Sequence, residues 1–383
     1  MRYRLQRHDG TDCSATMVPI TVLRMVPIQR YRHIVLIMLL FVLCFCASCG
    51  HKEARYALDM AEKRMWDEPD SALKVLESIV MPEDLEGKEL ADYALLLTQA
   101  QYRSNIVATS DSLINIAVGY YQDKDVEKRT ASLLYKGGVL KDMGKDEEAM
   151  LVYKEAESYI PRIKDNRIVT LIYMGLGYLN QKNRNYALSI DYFKKSVAVN
   201  IVPKQVLSWK VSSIMNLANI SYYWGNRDDA DLYYSQLLDM VPLVDSMLQT
   251  KIYYNYGIYK SKEKEWAEAE KYVRKALDNA SGDVSYRAML LLANLYSRTG
   301  RDGEVDSLCQ YALKTSEPAV KARIYYFLYE ENVAKKEYED AVTYLSHYVL
   351  LSDTLRSQIN RSEYLEIQKK YDQLNPVHQN IIN

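Results

Sequence analysis

The chain predicts an all-α fold, an α-solenoid of about eight stacked helix pairs ending in a capping helix, and three observations carry that expectation. From about residue 129 to 348 one pattern recurs six times at intervals of 36 to 41 residues: a small residue, an aromatic or apolar one, and a helix stop. Each copy divides into two helical runs of about 14 to 17 residues joined by a short polar turn, such as Lys145-Asp146, Asn226-Arg227-Asp228 or Lys264-Glu265. Gly or Ala recurs where two antiparallel helices must cross closely, with aromatics to fill the wider gaps beside the crossing. Helices this short cannot bury their apolar faces alone, so neighbouring pairs must stack.

At the N-terminus, residues 34–48 form an uncharged run of 15 preceded by Arg24, Arg30 and Arg32. A spanning helix needs about 20 apolar residues, whereas a short apolar run behind basic residues and before small ones has the layout of a secretion signal. Residues 1–48 are therefore expected to be a signal peptide. Met25 offers a second start nine residues before the apolar run, which would leave residues 1–24 untranslated.

The solenoid is expected over 49–349. Its first two units are the weakest: Asp70-Ser71-Ala72-Leu73 and Asp111-Ser112-Leu113, about 40 residues apart, each start an amphipathic run with Asp placed to cap a helix. The clearest copy has Gly137, Gly144, Ala149, Tyr153, Ala156 and Pro161 at offsets 0, 7, 12, 16, 19 and 24. Leu217 and Ala218 precede Gly225, Ala230, Tyr234 and Pro242 on the same ruler, and Leu292 and Ala293 precede Tyr296, Gly300 and Ala312. Other copies run through Leu176-Gly177, Tyr186 and Phe193, through Gly257, Trp266, Ala269 and Ala276, and through Leu328, Tyr338 and Ala341. Leu351, Leu355, Ile359, Tyr364, Ile367 and Tyr371 mark a helix over 350–375, either a cap or the start of a coiled coil, stopped near Pro376. Residues 376–383 read as a disordered tail.

This spacing resembles the tetratricopeptide repeat, whose usual unit is 34 residues; the extra length per unit implies longer helices or longer turns between pairs. Ala47-Ser48-Cys49-Gly50 resembles the lipobox of bacterial lipoproteins, with Cys46 where that family usually has Leu. The resemblance implies that Cys49 is the first mature residue and carries acyl chains, holding the protein in the cell envelope of a Gram-negative bacterium, on a periplasmic or outer-membrane face. The mature opening, Cys49 to Arg55 and then Trp66 to Leu73, resembles a group of bacterial tetratricopeptide regulators and lipoproteins. In the longer members exported repeats lead to a membrane helix, a coiled coil and a helix-turn-helix; Glu366 to Tyr371 is similar to the approach to that membrane segment, and none of those parts follows it in this sequence.

Composition narrows function further. Without residues 1–48 the chain loses six Arg and two Asp and carries a net charge of about −5, and no Lys/Arg run interleaved with aromatics is present to track a phosphate backbone, so nucleic acid is not an expected partner. Cys13, Cys44 and Cys46 lie in the leading segment, which leaves Cys309, at a repeat position held elsewhere by Tyr153, Phe193 and Tyr234, as a buried thiol with no disulfide partner. Tyrosine is the outlier, 34 against four Phe and four Trp; as core filler its hydroxyl should sit at a rim where water or a carbonyl satisfies it. Trp66, Trp224 and Trp266 fall near the turns within pairs, a packing position. No HExxH, GxSxG or P-loop is present, so no catalytic residues, metal or cofactor are expected.

A solenoid of this type offers a concave surface for a protein or peptide partner. On the repeat ruler, positions three before, one after and four to five after the crossing residue should face that groove: Tyr178, Gln181, Asn219, Tyr222, Tyr254, Asn294 and Arg298. Asn219 and Asn294, at equivalent offsets, are suited to hydrogen-bond an extended backbone. The expected function is a lipid-anchored protein- or peptide-binding scaffold. A sensor part of a truncated tetratricopeptide regulator is the alternative, with a glycan-binding lipoprotein behind it.

Overall fold

The computed structural model describes residues 52–200, 207–279, 282–314 and 317–374; the predicted signal segment, Cys49 and the C-terminal tail lie outside them. The described residues from 56 onward belong to one compact unit. Among the described residues, sixteen α-helices form eight pairs. The first-of-pair helices, called A, are α1 (52–64), α3 (Gly87–Arg103), α5 (Val126–Asp142), α7 (Asn166–Lys182), α9 (Leu207–Tyr223), α11 (Ser246–Lys262), α13 (Gly282–Arg298) and α15 (Pro318–Lys335). Their B partners are α2 (Pro69–Glu77), α4 (Ser112–Tyr120), α6 (Asp146–Tyr159), α8 (Tyr186–Ala198), α10 (Arg227–Met240), α12 (Trp266–Asn279), α14 (Asp302–Ala312) and α16 (Tyr338–Leu374). From α3 to α15 the A helices pack on one another in succession, and each B helix between them lies against its own A helix and the next.

Most pairs are hinged by the same short turn, whose middle residue is left-handed: Gly144, Arg184, Gly225, Lys264, Gly300 and Lys336 all have φ between 61° and 84°. In each case the next amide reaches back over the end of the A helix, as Lys145 N–H does to the Leu140 carbonyl (2.9 Å) and Glu337 N–H to that of Asn332 (2.9 Å). That bond closes the helix and reverses the chain. At the other end, the Asp125, Asp165 and Asp245 carboxylates accept the amides of Lys128, Arg167 and Leu248 at 2.9 to 3.0 Å, capping α5, α7 and α11. The longer repeat comes from 17-residue A helices and from the stretches between pairs, where Ile160–Arg162 and Val241–Leu243 add 3₁₀ turns.

The crossings explain the small residues. A β-carbon on Gly137 would lie 2.8 Å from the Tyr153 ring and one on Gly175 would lie 2.6 Å from it, so this one ring is clamped between α5 and α7. Gly138 meets Tyr102 at 2.7 Å, Gly177 meets Phe193 at 3.0 Å and Gly257 meets Val273 at 2.6 Å in the same sense. Tyr153, Phe193, Tyr234, Val273 and Cys309 all occupy the buried B-helix position of the ruler.

Some local expectations are corrected. Asp70 is not a cap: α2 starts at Pro69 behind Glu68, and the Asp70 carboxylate accepts from Ser104 Oγ at 2.5 Å. Asp111 holds the cap position of α4 but turns its carboxylate to the Asn115 amide. Residues 350–374 continue α16 without a break rather than starting a new helix. Trp224 is 56% exposed, whereas Trp266 packs against the C-terminal core. Several buried tyrosine hydroxyls are answered, Tyr234 by Asn219 and Tyr259 by Asp231, but those of Tyr135 and Tyr153 are buried without a partner among the described residues.

Candidate functional site

Among the described residues, A helices line two cavities of note. The larger, about 500 Å³, lies in the C-terminal half. Tyr254 and Ile258 of α11 form one wall, Arg287, Leu290, Leu291 and Asn294 of α13 the floor, and Arg323, Tyr326 and Phe327 of α15 the other wall, with Tyr348 of α16 at one end. Helical periodicity accounts for this: residues three, four and seven apart share one face, so three neighbouring helices present one strip each. Tyr326 lies against Tyr348, ring centroids 5.1 Å apart. Among the described residues two guanidiniums and no carboxylate line the cavity. The nearby Glu330 acts on the Tyr326 phenol, whose pKa its charge and hydrogen bond push up.

The smaller cavity, about 270 Å³, is lined from α1 to α7 by Glu62, Asp92, Asp125, Glu127 and Asp165 together with Lys128, Trp66 and Tyr135, among others. Most of its acids are answered within the protein. Burial works against the Asp92 charge, but Lys128, Tyr121 and Lys88 all bond to it and hold its carboxyl below the usual range. Asp165 takes a two-pronged contact from Arg167 (2.8 Å each), while Asp125 and Glu127 accept the backbone amides of Lys128 and Lys164. This cavity is structural in character. Beside it Trp66, after α1, meets Trp209 of α9 edge to face at 5.9 Å, with Arg103 over both rings and Arg167 over Trp66.

Of the seven residues placed in the groove by sequence, Tyr254 and Asn294 come together in the larger cavity. Asn219 is half-buried: its carbonyl accepts the Tyr234 hydroxyl at 2.5 Å, and its side-chain amide stands 3.5 Å from the Asn255 carbonyl oxygen. Tyr222 stands among Tyr223, Tyr259 and the Lys262 ammonium. Tyr178 packs edge-on to Phe193 (5.2 Å) and accepts a hydrogen bond from Asn216 at 3.2 Å. Gln181 is half-buried near the end of α7, and Arg298 is exposed at the end of α13, outside the cavity. Arg287 and Arg323 escape the ruler because they lie one turn earlier on their helices than the positions it samples; Tyr326 holds the same position before the Lys336 turn as Tyr254 does before the Lys264 turn, and is missed because the sequence reading of that copy centres on Leu328. Tyr348 comes from a B helix, which the ruler excludes. Among the described residues no group of His, Cys, Asp and Glu is arranged to hold a metal, and no helix is long and apolar enough to cross a membrane.

The architecture is that of a tetratricopeptide-like α-solenoid. Solved structures agree on the fold: the chain is similar to apo RapI (TM-score 0.62, 12% identity, covering 82% of this chain and 92% of that one). It is also similar to a Rap protein complexed with Competence and Sporulation Factor (TM-score 0.53, 14% identity, 80% and 99%), and to NprR in complex with its cognate peptide NprX (TM-score 0.51, 13% identity, 85% and 99%). No family model matches the chain, and no curated protein does.

Proposed function

We propose that the protein is a lipid-anchored scaffold that binds a protein or peptide partner in the groove formed by its A helices, and that its role is binding rather than catalysis. The observation that carries this reading is the 500 Å³ cavity spanning α11, α13 and α15: three successive pairs contribute to one aromatic, concave surface, which is how a solenoid engages an extended chain. The Rap and NprR structures of similar fold hold Competence and Sporulation Factor and the peptide NprX respectively, which supports a peptide-sized ligand here. Tethering rests on the sequence of residues 34–49, with Cys49 as the acylated residue in the envelope of a Gram-negative cell. A sensor role in a longer signalling system is the second reading, favoured by the continuation of α16 to Leu374, well past the length of the other B helices.

The test is crosslinked capture of the native protein from its own membranes, with mass spectrometry of the bait's first peptide and of what accompanies it. An acylated Cys49 and one dominant partner, lost when Tyr254 and Tyr326 are replaced by Ala, is the expected result. A chain beginning elsewhere than Cys49 would remove the anchor from the reading, and a partner indifferent to those two tyrosines would remove the groove.

A further inference from the structure

The B helix of the last pair carries the stripe that earlier pairs bury against the next A helix. Tyr153, Phe193, Tyr234, Val273 and Cys309 each stand nine residues after the left-handed residue of their turn, and all are buried. For Tyr153 the cover comes from both sides, Gly137 of its own A helix and Gly175 of the next. Leu345, nine residues after Lys336, holds this position in the last pair and is only half-buried; among the described residues no A helix follows α15.

The fourth pair supplies the comparison. Tyr186, Ile190, Phe193 and Val197 follow Arg184 by two, six, nine and thirteen residues, and Tyr338, Val342, Leu345 and Val349 follow Lys336 by the same steps. The two stripes therefore match position by position in character. On α8 the stripe packs against Leu217 and Ile220 of α9, which leaves Ile190 and Phe193 only 9% and 0% exposed. On α16 it is open: Tyr338 and Val342 are each 63% exposed, and Val349 is 46% exposed. The first helix presents no such stripe, since its exposed residues from 56 onward are Tyr56 and the charged Asp59, Glu62, Lys63 and Arg64. Solenoid ends that face water are polar. An apolar stripe about 17 Å long on the last helix marks an interaction surface instead.

We propose that this stripe is a socket for an amphipathic helix of another protein, which docks where the first helix of a ninth pair would lie. Spacing makes the guest a helix. Tyr338, Val342, Leu345 and Val349 recur at steps of four and three, the period that interlocks with apolar residues three and four apart on a facing helix, whereas an extended strand repeats every second residue. The cover that α9 gives to α8 shows the chemistry required: Leu217 and Ile220 three residues apart, and one turn before them Ser213, small enough for its Oγ to meet that of Ser196 at 2.8 Å. The partner helix accordingly carries Leu or Ile at two positions three apart, with Gly, Ala or Ser a turn earlier. This surface is separate from the cavity of α11, α13 and α15, which takes only Tyr348 from α16.

The sequence of α9 is the probe. A helix of this length is marginal alone in water, so the peptide Leu207–Tyr223 is made with Met215→Lys and Asn219→Asp joined as a lactam, away from Leu217 and Ile220. It is labelled and titrated with the purified full chain by fluorescence anisotropy, after circular dichroism has established that it is helical. The expected result is saturable binding that falls at least tenfold when the chain carries Val342→Glu with Val349→Glu, and equally when the peptide carries Leu217→Glu. Both valines are exposed, so the double variant is expected to keep the unaltered chain's thermal melt. No binding of the helical peptide, or binding indifferent to the double variant, would overturn the socket. Sedimentation equilibrium of the chain alone supplies the other arm: a concentration-dependent dimer that the double variant loses would give the stripe to a second copy of this chain and overturn the partner helix.

Discussion

Replacing Gly175 by Ala sets two large effects against each other. Alanine gains about 1 kcal/mol over glycine inside a helix. Against that, the new β-carbon would stand 2.6 Å from the Tyr153 ring, when carbon atoms settle at about 3.5 to 4 Å, so ring or helix must move by roughly 1 Å. The ring has nowhere to go: Tyr153 is fully buried, and Gly137 sits so close against it that a β-carbon there would come within 2.8 Å. Overpacking of this kind costs about 2 to 3 kcal/mol, leaving a net destabilisation of about 1 to 2 kcal/mol. Gly119, inside α4 with nothing within 4 Å of its would-be β-carbon, is the control: Gly119→Ala should stabilise by about 0.5 to 1 kcal/mol. Urea unfolding followed by far-UV circular dichroism reads both. If Gly175→Ala raises the midpoint as Gly119→Ala does, the crossing is not tight and the account of why these positions are small is wrong.

Other consequences can be checked separately. Lys336→Gly, which relieves a left-handed φ of 64° on a residue with a β-carbon, should stabilise the last pair by about 1 kcal/mol, visible as slower amide exchange at the end of α15. Asp92 ionises more readily in the folded chain than in the unfolded one, so its contribution is complete above the unfolded value of about 3.9 and is lost as pH falls through the lower folded value. The stability advantage of the unaltered protein over Asp92→Asn should therefore hold from pH 7 to about 5 and shrink below about 4; an advantage constant down to about pH 2 would contradict it. Burial pushes the Cys309 thiol up to about 12, aided by Asp306 and Glu331, so alkylation at about pH 8, followed at the Cys309 peptide, should be negligible until denaturant is added. Tyr153→Phe removes a hydroxyl that is buried without a partner and should be neutral or stabilising by up to about 1 kcal/mol in the same urea assay.

Much of the fold is legible in the sequence because its repeating signals are steric. Gly137, Gly177 and Gly257 are small for a reason that acts locally, and Gly144, Gly225 and Gly300 mark left-handed turns that favour glycine. The same turn at Arg184, Lys264 and Lys336 leaves no such mark, since the reach-back hydrogen bond stabilises the conformation whatever the side chain. Asp70 misleads as a cap because its run of apolar residues is correct but the helix starts at Pro69, two residues earlier than a cap at Asp70 would place it. The site is less legible than the frame. Whether a groove-facing Asn points outward or, like Asn219, accepts a hydrogen bond from a neighbouring Tyr depends on a residue 15 positions away. The cavity itself depends on which strips of three helices converge, and no single repeat contains that information.

The meeting of Trp66 with Trp209 changes what kind of object the first five pairs are. A stack in which each unit touches only its neighbours unfolds piecemeal, from the ends inward, with stabilities that simply add. Here two rings from the first and fifth pairs meet edge to face, with the Arg103 guanidinium over both, so the coil is latched to itself across the intervening repeats. A latched coil cannot lose its first pair without also loosening its fifth. It should melt as one cooperative block, and it should resist stretching until the latch breaks and the block turns into a spring.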